Sequence, residues 1–273
     1  MSKDLDIGFI GGGNMAGAII AGLLRSGHRP SRLQVADPSK DQMARLHSLH
    51  TELSLGSDND AVAAGAELLV LAVKPQIMRE VVQQLGPRRD GQLVISIAAG
   101  LTLAQLQDWL GNASAIVRVM PNQPALVGAG MAVMVAGDGV NDQQRRQADY
   151  VMGATGESGW VEDESLIDAV TAVSGSGPAY FYLLMEILAE WARANGISDE
   201  LATRLAVETA RGAGLAAADA RLSPEALRAS VTSPGGTTAA AIGSLEDAGL
   251  RDIFRDALDA ARRRSVELGR DTD

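Results

Sequence analysis

The sequence predicts an α/β fold in which a doubly wound parallel sheet is followed by an all-α domain. In the first half, short apolar runs that end at glycine or proline alternate with segments of helical periodicity, which is the pattern of a parallel sheet covered on both faces. From Leu166 onward, long helical periodicity continues almost without strand-like alternation. A chain of 273 residues also has the usual length of two domains. We therefore expect domains at residues 1–162 and 163–273.

The strands and helices of the first domain are predicted in a regular order. The strand runs are DIGFIGG, LQVADP, ELLVLAVKP, GQLVISIAAG and ASAIVRVMPN. The helices between them include NMAGAIIAGLLRSG, KDQMARLHSLH and TLAQLQDWLG. Because each strand is apolar throughout, we expect both faces of the sheet to be buried.

The helical domain is rich in alanine and glycine. Its long helices include DELATRLAVETARGAGLAAADARL, which places small residues on one face, and SLEDAGLRDIFRDALDAARRRSVEL. Such a domain is too thin to bury all its apolar helix faces alone, so we expect it to pack against a second copy as an interlocked homodimer. A self-sufficient helical bundle is the alternative.

Composition excludes several classes of function. The formal net charge of −10 argues against a nucleic-acid partner, which needs a basic face. The absence of cysteine excludes disulfides, thiolate nucleophiles and cysteine-ligated metals. The sequence opens without a signal-peptide pattern, and its most apolar later stretch is interrupted by Glu186, Glu190 and Arg193. We expect a cytoplasmic protein that handles small molecules and contacts neither nucleic acid nor membrane.

The stretch GFIGGGNMA carries the G-x-G-x-x-A form of the dinucleotide-binding fingerprint in Gly11, Gly13 and Ala16. Gly11 allows a tight turn out of the strand, Gly13 lets the backbone approach a pyrophosphate, and Ala16 permits close helix–strand packing. The stretch follows an apolar strand and opens a helix, which is the context that supports a Rossmann-type domain. The alternative is a glycine turn that binds nothing.

The residues after the second predicted strand leave the choice between NADH and NADPH open. Asp37 ends that strand, where a carboxylate would accept hydrogen bonds from the ribose 2′-hydroxyl of NADH. Ser39 and Lys40 follow it and could instead contact the 2′-phosphate of NADPH. We therefore expect a cofactor-binding role for all three residues and either nicotinamide cofactor.

Six motifs together resemble one enzyme family. GFIGGGNMA, LAVKPQ, VISIAAG, MPNQPALVGAG, AVSGSGPAYFY and SPGGTTAAAI occur in the order and spacing of pyrroline-5-carboxylate reductases, and the resemblance covers essentially the whole chain. It implies NAD(P)H-dependent reduction of the cyclic imine 1-pyrroline-5-carboxylate to L-proline, the last step of proline biosynthesis. It also implies a Rossmann domain and a helical dimerisation domain, with dimers often assembling into a decamer.

The resemblance also implies contacts, residue by residue. Cofactor contacts would fall on the glycine-rich loop and the carboxyl ends of later strands, at Gly11, Gly12, Gly13, Asn14, Met15, Asn59, Ala72, Val73, Lys74, Pro75, Ala98, Ala99, Gly100 and Asn122. Substrate contacts would fall on Glu164, Ser233, Gly235, Gly236, Thr237 and Thr238. Some members of the family have serine or threonine at the position of Asp37, so a strict preference for NADPH does not follow for this chain. Some members have glutamate at the position of Arg221, so the resemblance implies no role for Arg221.

The stretch SVTSPGGTTAAAI places two glycines directly before a helix, where the implied substrate would need an anion site. Gly235 and Gly236 leave room for a carboxylate at the backbone, and the amides of Gly236, Thr237 and Thr238 would be free donors at the helix start. The Thr238 hydroxyl would hydrogen-bond the imine or amine nitrogen, which makes Thr238 the predicted catalytic residue. The alternative is that the threonines cap the helix and the glycines only form a turn.

Two other functions fit the glycine-rich loop. The β-hydroxyacid dehydrogenases resemble one another in using a lysine of the helical domain as acid/base, but this chain has only Lys3, Lys40 and Lys74. A nucleotide-sensing binding protein would keep the loop and would not need the site at residues 235–238.

One histidine pair has a spacing that could hold a metal. His47 and His50 lie on one predicted helix face with Glu52 nearby. We expect a solvated surface pair there and no metal site.

Overall fold

The computed structural model describes residues 3–86, 89–111, 115–219 and 221–270. Its contacts divide the chain into two compact units. The first unit is Met1–Gly175 with Ala261–Asp273, and the second is Ser176–Ala260.

Among the described residues of the first unit, eight strands form one sheet in the order β3-β2-β1-β4-β5-β6-β7-β8. The strands are β1 Ile7–Ile10, β2 Leu33–Ala36, β3 Ser54–Gly56, β4 Leu68–Leu71, β5 Leu93–Ser96, β6 Ala115–Met120, β7 Gly130–Ala136 and β8 Gly156–Trp160. The helices are α1 Asn14–Arg25, α2 Lys40–Leu49, α3 Asn59–Gly65, α4 Pro75–Gln83, α5 Leu103–Leu110, α6 Asp142–Gly153 and α7 Leu166–Val170. The sheet is parallel except between β6 and β7, so the α/β prediction is confirmed.

Strands β3, β7 and β8 were not expected from the sequence. β3 and β8 contain glycine and serine with few apolar residues, so they lack the buried-strand pattern. β7 runs antiparallel to β6 because only residues 121–129 join them, which is shorter than the crossover that a parallel pair needs. The sheet therefore departs from a fully parallel arrangement at that one pair.

Both faces of the sheet are buried, as its apolar strands predict. On one face, residues such as Ile7, Phe9 and Val70 pack with side chains of α1 and α6. On the other face, residues such as Ile10 and Leu69 pack with side chains of α3, α4 and α5. The first unit thus has a core on each side of the sheet.

The boundary between the two compact units follows Gly175, which is later in the chain than the expected domain boundary between residues 162 and 163. Ile167 of α7 packs against Val133 and Val135 of β7, so this segment belongs with the sheet. A π-helical turn, Thr171–Gly175, ends that part of the first unit. The boundary between folding domains stays a prediction.

The second unit contains α8 Gly177–Ala194, α9 Asp199–Asp219, α10 Pro224–Ser230 and α11 Thr237–Asp247. Helix α12, Leu250–Arg270, begins in the second unit and ends in the first. The buried residues of α8 are Gly177, Ala189 and Ala192, whereas its large apolar side chains are exposed. Within the described residues, no helix is both long and apolar enough to cross a membrane.

Candidate active site

The glycine-rich loop joins β1 to α1 and exposes backbone donors. Gly11 has φ +97°, and a Cβ there would lie 2.8 Å from the backbone carbonyl of Ala72, so only glycine fits. A Cβ at Gly13 would meet nothing within 4 Å, which leaves open space in front of the loop. Gly13 is also the N-cap of α1, and the first amides of the helix, starting at Asn14, have no intrahelical acceptor. The loop therefore fits the anionic pyrophosphate of a dinucleotide.

The carboxylate of Asp37 ties this loop to the turn before α2. Its Oδ2 accepts a hydrogen bond from the Gly12 amide at 2.7 Å, and its Oδ1 accepts one from the Ser39 amide at 2.8 Å. The Ser39 hydroxyl in turn caps α2 by accepting from the Gln42 amide. Since each carboxylate oxygen has a second lone pair, Asp37 can also accept from a ribose hydroxyl. Contact of Ser39, and of Lys40 after it, with a cofactor stays a prediction.

Arg45 of α2 also contacts the loop, and sequence reasoning missed it. Its Nη1 donates to Asn14 Oδ1 at 2.5 Å, and its Nη2 donates to the Gly12 carbonyl at 3.0 Å. Arg45 is one of several charged residues on an exposed helix face, so no local pattern distinguishes it in the sequence.

The other residues expected to contact the cofactor follow the carboxyl ends of the parallel strands. Ala72, Val73, Lys74 and Pro75 follow β4, with Lys74 as the N-cap of α4, and Ala98, Ala99 and Gly100 follow β5. Asn59 is the first residue of α3, and Met15 lies in the first turn of α1. Ligands of open parallel sheets bind at this edge. The structure therefore places these residues where a cofactor site is expected, and each individual contact stays a prediction.

Asn122 already uses both ends of its side chain within the protein. Its Nδ2 donates to the Ser174 carbonyl at 3.1 Å, and its Oδ1 accepts from the Met131 amide at 2.9 Å. The side chain thus holds together the end of β6, the start of β7 and the π-helical turn. A contact with the nicotinamide remains a prediction for this residue.

Glu164, expected near the substrate, is half-buried and forms an ion pair with a buried arginine inside the first unit. Its Oε1 lies 2.7 Å from Arg118 Nη1 and also accepts from the Leu103 amide at 2.7 Å. The side chain of Arg118 is only 7% exposed. Arg118 was missed from the sequence, although a charged residue within the buried run AIVRVM is a signal that it needs a partner. The pair joins β6, the start of α5 and the segment before α7.

In the second unit, the start of α11 has the shape expected of an anion site. Gly235 has φ +71°, and a Cβ there would meet nothing within 4 Å. Gly236 is the N-cap of α11, so the amides of Thr237 and Thr238 have no intrahelical acceptor. The Gly236 amide donates to the Ser233 carbonyl at 3.0 Å, so the expectation that it is a free donor is wrong. It closes the turn that exposes the next two amides.

The structure does not support the capping alternative for the threonines. The N-cap position is occupied by glycine, with no side-chain cap hydrogen bond. Thr238 is half-buried and Thr237 is exposed. Within the described part of the chain, the Thr238 hydroxyl makes no hydrogen bond that would commit it to the helix start.

Two family models match this chain. A model described as pyrroline-5-carboxylate reductase dimerisation matches residues 164–268. A model described as NADP oxidoreductase, coenzyme F420-dependent, matches residues 6–100. The two matches fall on the helical part of the chain and on the glycine-rich first part of the sheet, respectively.

Curated relatives and solved structures agree with these matches. The chain is 43% identical to pyrroline-5-carboxylate reductase of Pseudomonas aeruginosa over 263 residues, covering 96% of each chain, and 39% identical to that of Pisum sativum over 270 residues, covering 98% of this chain and 97% of that one. A solved pyrroline-5-carboxylate reductase from Coxiella burnetii superposes with a TM-score of 0.92 at 41% identity, covering 97% and 98% of the two chains. A Plasmodium falciparum pyrroline carboxylate reductase with NADP bound gives 0.85 at 31% identity, covering 98% and 99%. This chain therefore belongs to the pyrroline-5-carboxylate reductase family.

Proposed function

We propose that this protein reduces 1-pyrroline-5-carboxylate to L-proline with NADPH or NADH, the last step of proline biosynthesis. Membership of the family supports the reaction. The observation that carries the proposal in this chain is the start of α11, where two free amides and an uncommitted hydroxyl stand beside a glycine turn. That is the set of donors that a small carboxylate with a neighbouring ring nitrogen requires.

The cofactor would be held by the first unit. The amides at the start of α1 would bind its pyrophosphate, and Asp37 would accept from the adenosine ribose. The nicotinamide supplies the hydride when the cofactor is bound. The residues that follow β4, β5 and β6 would line the rest of the site.

The substrate would be held by residues of the second unit. The amides of Thr237 and Thr238 would bind the carboxylate, with the dipole of α11 adding to the attraction. The Thr238 hydroxyl would hold the ring nitrogen, which fixes the orientation of the imine carbon. Reduction of the protonated imine adds a hydride to that carbon. The π electrons of the C=N bond become the nitrogen lone pair, and the nitrogen keeps the proton that it already carried, so the product is the amine. A contact of Ser233 with the substrate belongs to the same proposal, and so does the predicted substrate contact of Glu164, which lies in the first unit.

Assembly is the third part of the proposal. The dimerisation-domain match and the exposed apolar side chains of α8 support a homo-oligomer. We infer that the second unit pairs with its copy through this surface and that the dimers form a decamer in the cytoplasm. Light scattering of the purified protein and fractionation of cells test these two statements separately.

An assay of imine-dependent NADPH oxidation tests the reaction. Purified protein should consume NADPH and NADH only when 1-pyrroline-5-carboxylate is added, and L-proline should appear in equal amount. A protein that binds NADPH but never oxidises it with the imine would instead be a nucleotide-sensing binding protein.

A further inference from the structure

We propose that Arg45 is a positioning residue for dinucleotide binding: it sets the orientation of Asn14 and fixes Gly12 so that the loop presents donors to the pyrophosphate. This inference rests on the proposed function, because it concerns the same cofactor site. Arg45 lies on α2 and would act through the loop, since its two hydrogen bonds end on loop atoms.

Gly12 is held at both of its backbone polar groups by side chains of opposite charge. Its amide donates to Asp37 Oδ2 at 2.7 Å, and its carbonyl accepts from Arg45 Nη2 at 3.0 Å. Charge-assisted hydrogen bonds of this kind are stronger than neutral ones. A Cβ at Gly12 would lie 2.9 Å from Leu46, so the packing against α2 is also close. The peptide that precedes the open position at Gly13 is therefore fixed before any cofactor arrives.

The hydrogen bond from Arg45 Nη1 determines the orientation of the Asn14 side-chain amide. Arginine carries only donors, so the Asn14 atom that it contacts at 2.5 Å must be the carbonyl oxygen. The Asn14 Nδ2 group, with two N–H donors, is thereby directed away from Arg45. Asn14 is the first residue of α1, where free backbone amides already favour an anion. Arg45 thus adds an oriented side-chain donor to the backbone donors.

The pyrophosphate, rather than the 2′-phosphate, is the group this arrangement suits. Asn14 stands at the helix N-terminus, which receives the pyrophosphate in dinucleotide-binding folds. Asp37 lies where the adenosine ribose would bind, and its negative charge disfavours a 2′-phosphate at that position. We therefore expect Arg45 to act equally on NADH and NADPH.

Isothermal titration calorimetry with ADP, NADH, NADPH and 2′-AMP tests the inference without any turnover. Arg45→Ala should raise the Kd of the first three by about tenfold, because an oriented hydrogen bond to a charged group is lost. The Kd of 2′-AMP should stay unchanged, since 2′-AMP has no pyrophosphate. Arg146→Ala, an exposed arginine on α6, is the matched control and should change none of them.

Two further variants separate positioning from charge. Arg45→Lys keeps the positive charge, but its ammonium group lacks the planar pair of N–H donors that hydrogen-bonds Asn14 and Gly12 at the same time. It should therefore recover only part of the affinity for ADP, NADH and NADPH. In an Asn14→Ala background, Arg45→Ala should cost less than about threefold, because the contribution through Asn14 is already lost and only the hydrogen bond to Gly12 remains to be removed. Full recovery with lysine, additive losses in the double variant, or losses confined to NADPH and 2′-AMP would each overturn the inference.

The outcome for the wild-type protein keeps this inference separate from the proposed function. If wild-type protein binds ADP tightly and Arg45→Ala binds it equally well, the positioning role fails and the proposed function stands. If wild-type protein binds none of ADP, NADH and NADPH, the proposed cofactor site itself fails. Melting temperatures of the apo variants confirm that each is folded.

Discussion

The two compact units differ in how completely they bury their own apolar side chains. In the first unit, large residues such as Phe9, Ile19 and Leu68 are inaccessible to solvent. In the second, the large apolar residues of α8 are exposed and mainly small residues such as Ala189 are buried. A contiguous exposed apolar surface usually marks an interface. The first unit thus buries its own large apolar residues, whereas the second leaves an apolar surface of the kind that is found at interfaces.

Four of the exposed apolar residues of α8 form a stripe, defined here as Phe181, Leu184, Leu188 and Trp191. Their spacing of three and four residues places them on one helix face, with Trp191 68% exposed. Met185, Ala189 and Ala192 lie on another face of the helix and are more buried. The stripe lies within residues 164–268, which match a dimerisation domain, and this supports the proposal that it packs against a second copy.

The difference in burial between the two units predicts different results when a buried or an exposed apolar residue is replaced by aspartate: the first change should unfold the protein, and the second should only dissociate the oligomer. Val70→Asp puts a charge into a fully buried strand of the first unit, so it should unfold that unit, with a loss of more than about 4 kcal/mol. Leu188→Asp should leave the circular dichroism spectrum nearly unchanged but reduce the oligomer to monomers in light scattering. An intact oligomer in Leu188→Asp would show that the stripe is not an interface.

Ion pairs in the two units should also differ in their effect on stability. Glu164→Ala leaves the buried Arg118 without its partner and should cost about 3 kcal/mol in the free energy of unfolding. Glu246→Ala breaks the exposed pair with Arg251 in the second unit and should leave the melting temperature unchanged. Chemical denaturation of both variants checks this, and equal losses would contradict the difference in burial.

The smallest expected effect is a pH dependence that arises in the first unit. His28 is buried, and its Nδ1 lies 2.9 Å from Tyr150 Oη. Burial lowers the pKa of His28 below 6.5, against the weaker opposite effects of the Leu5 backbone, Asp4 and Asp6. The unfolded chain therefore binds the proton more readily, so stability is greatest above pH 6.5 and falls as the pH drops toward the lowered pKa.

Melting temperatures between about pH 7.5 and 5.5 measure this effect, which is at most about 1.4 kcal/mol per pH unit. His28→Gln should flatten the dependence, because glutamine does not titrate. The matched control, His47→Gln, alters an exposed histidine and should leave the dependence as in the wild type. An unchanged slope in His28→Gln would mean that another group is responsible.

The parts of the fold that the sequence predicted are those in which local pattern and final environment agree. Strands β1, β2, β4, β5 and β6 are apolar because both their faces are buried, so their pattern could be recognised. β8, with the sequence GESGW, is a strand because it pairs with β7, and pairing leaves no local signal. The short 121–129 connection explains the direction of β7 once the strand itself is known.

In the candidate site, too, the features set by local sequence could be predicted and the long-range contacts could not. The glycine turns at Gly11 and Gly235 could be predicted because positive φ demands a particular residue type. The bonds that Asp37, Asn122 and Glu164 make within the first unit could not, because their partners lie 25 or more residues away or on another element. Backbone conformation at the candidate site was therefore more predictable from the sequence than the contacts of its side chains.

We propose that the two units have different functions: the first binds the cofactor, and the second holds the carboxylate and the ring nitrogen of the substrate. Thr238→Ala tests it most directly, because it removes one hydroxyl from the second unit and leaves the α11 amides in place. Thr237→Ala, one residue earlier and exposed, is the matched control. The melting temperature of each variant shows whether the helix start is intact.

The decisive measurement is kcat/KM for 1-pyrroline-5-carboxylate, taken together with the Kd of NADPH, in the Thr238→Ala variant. Losing a hydrogen bond to a charged imine should cost about 1.5–3 kcal/mol, or on the order of 10- to 150-fold in kcat/KM, while the Kd of NADPH stays within about twofold. Thr237→Ala should be nearly normal in both. Full activity in Thr238→Ala, or an equal loss in substrate turnover and NADPH binding, would contradict the division of work.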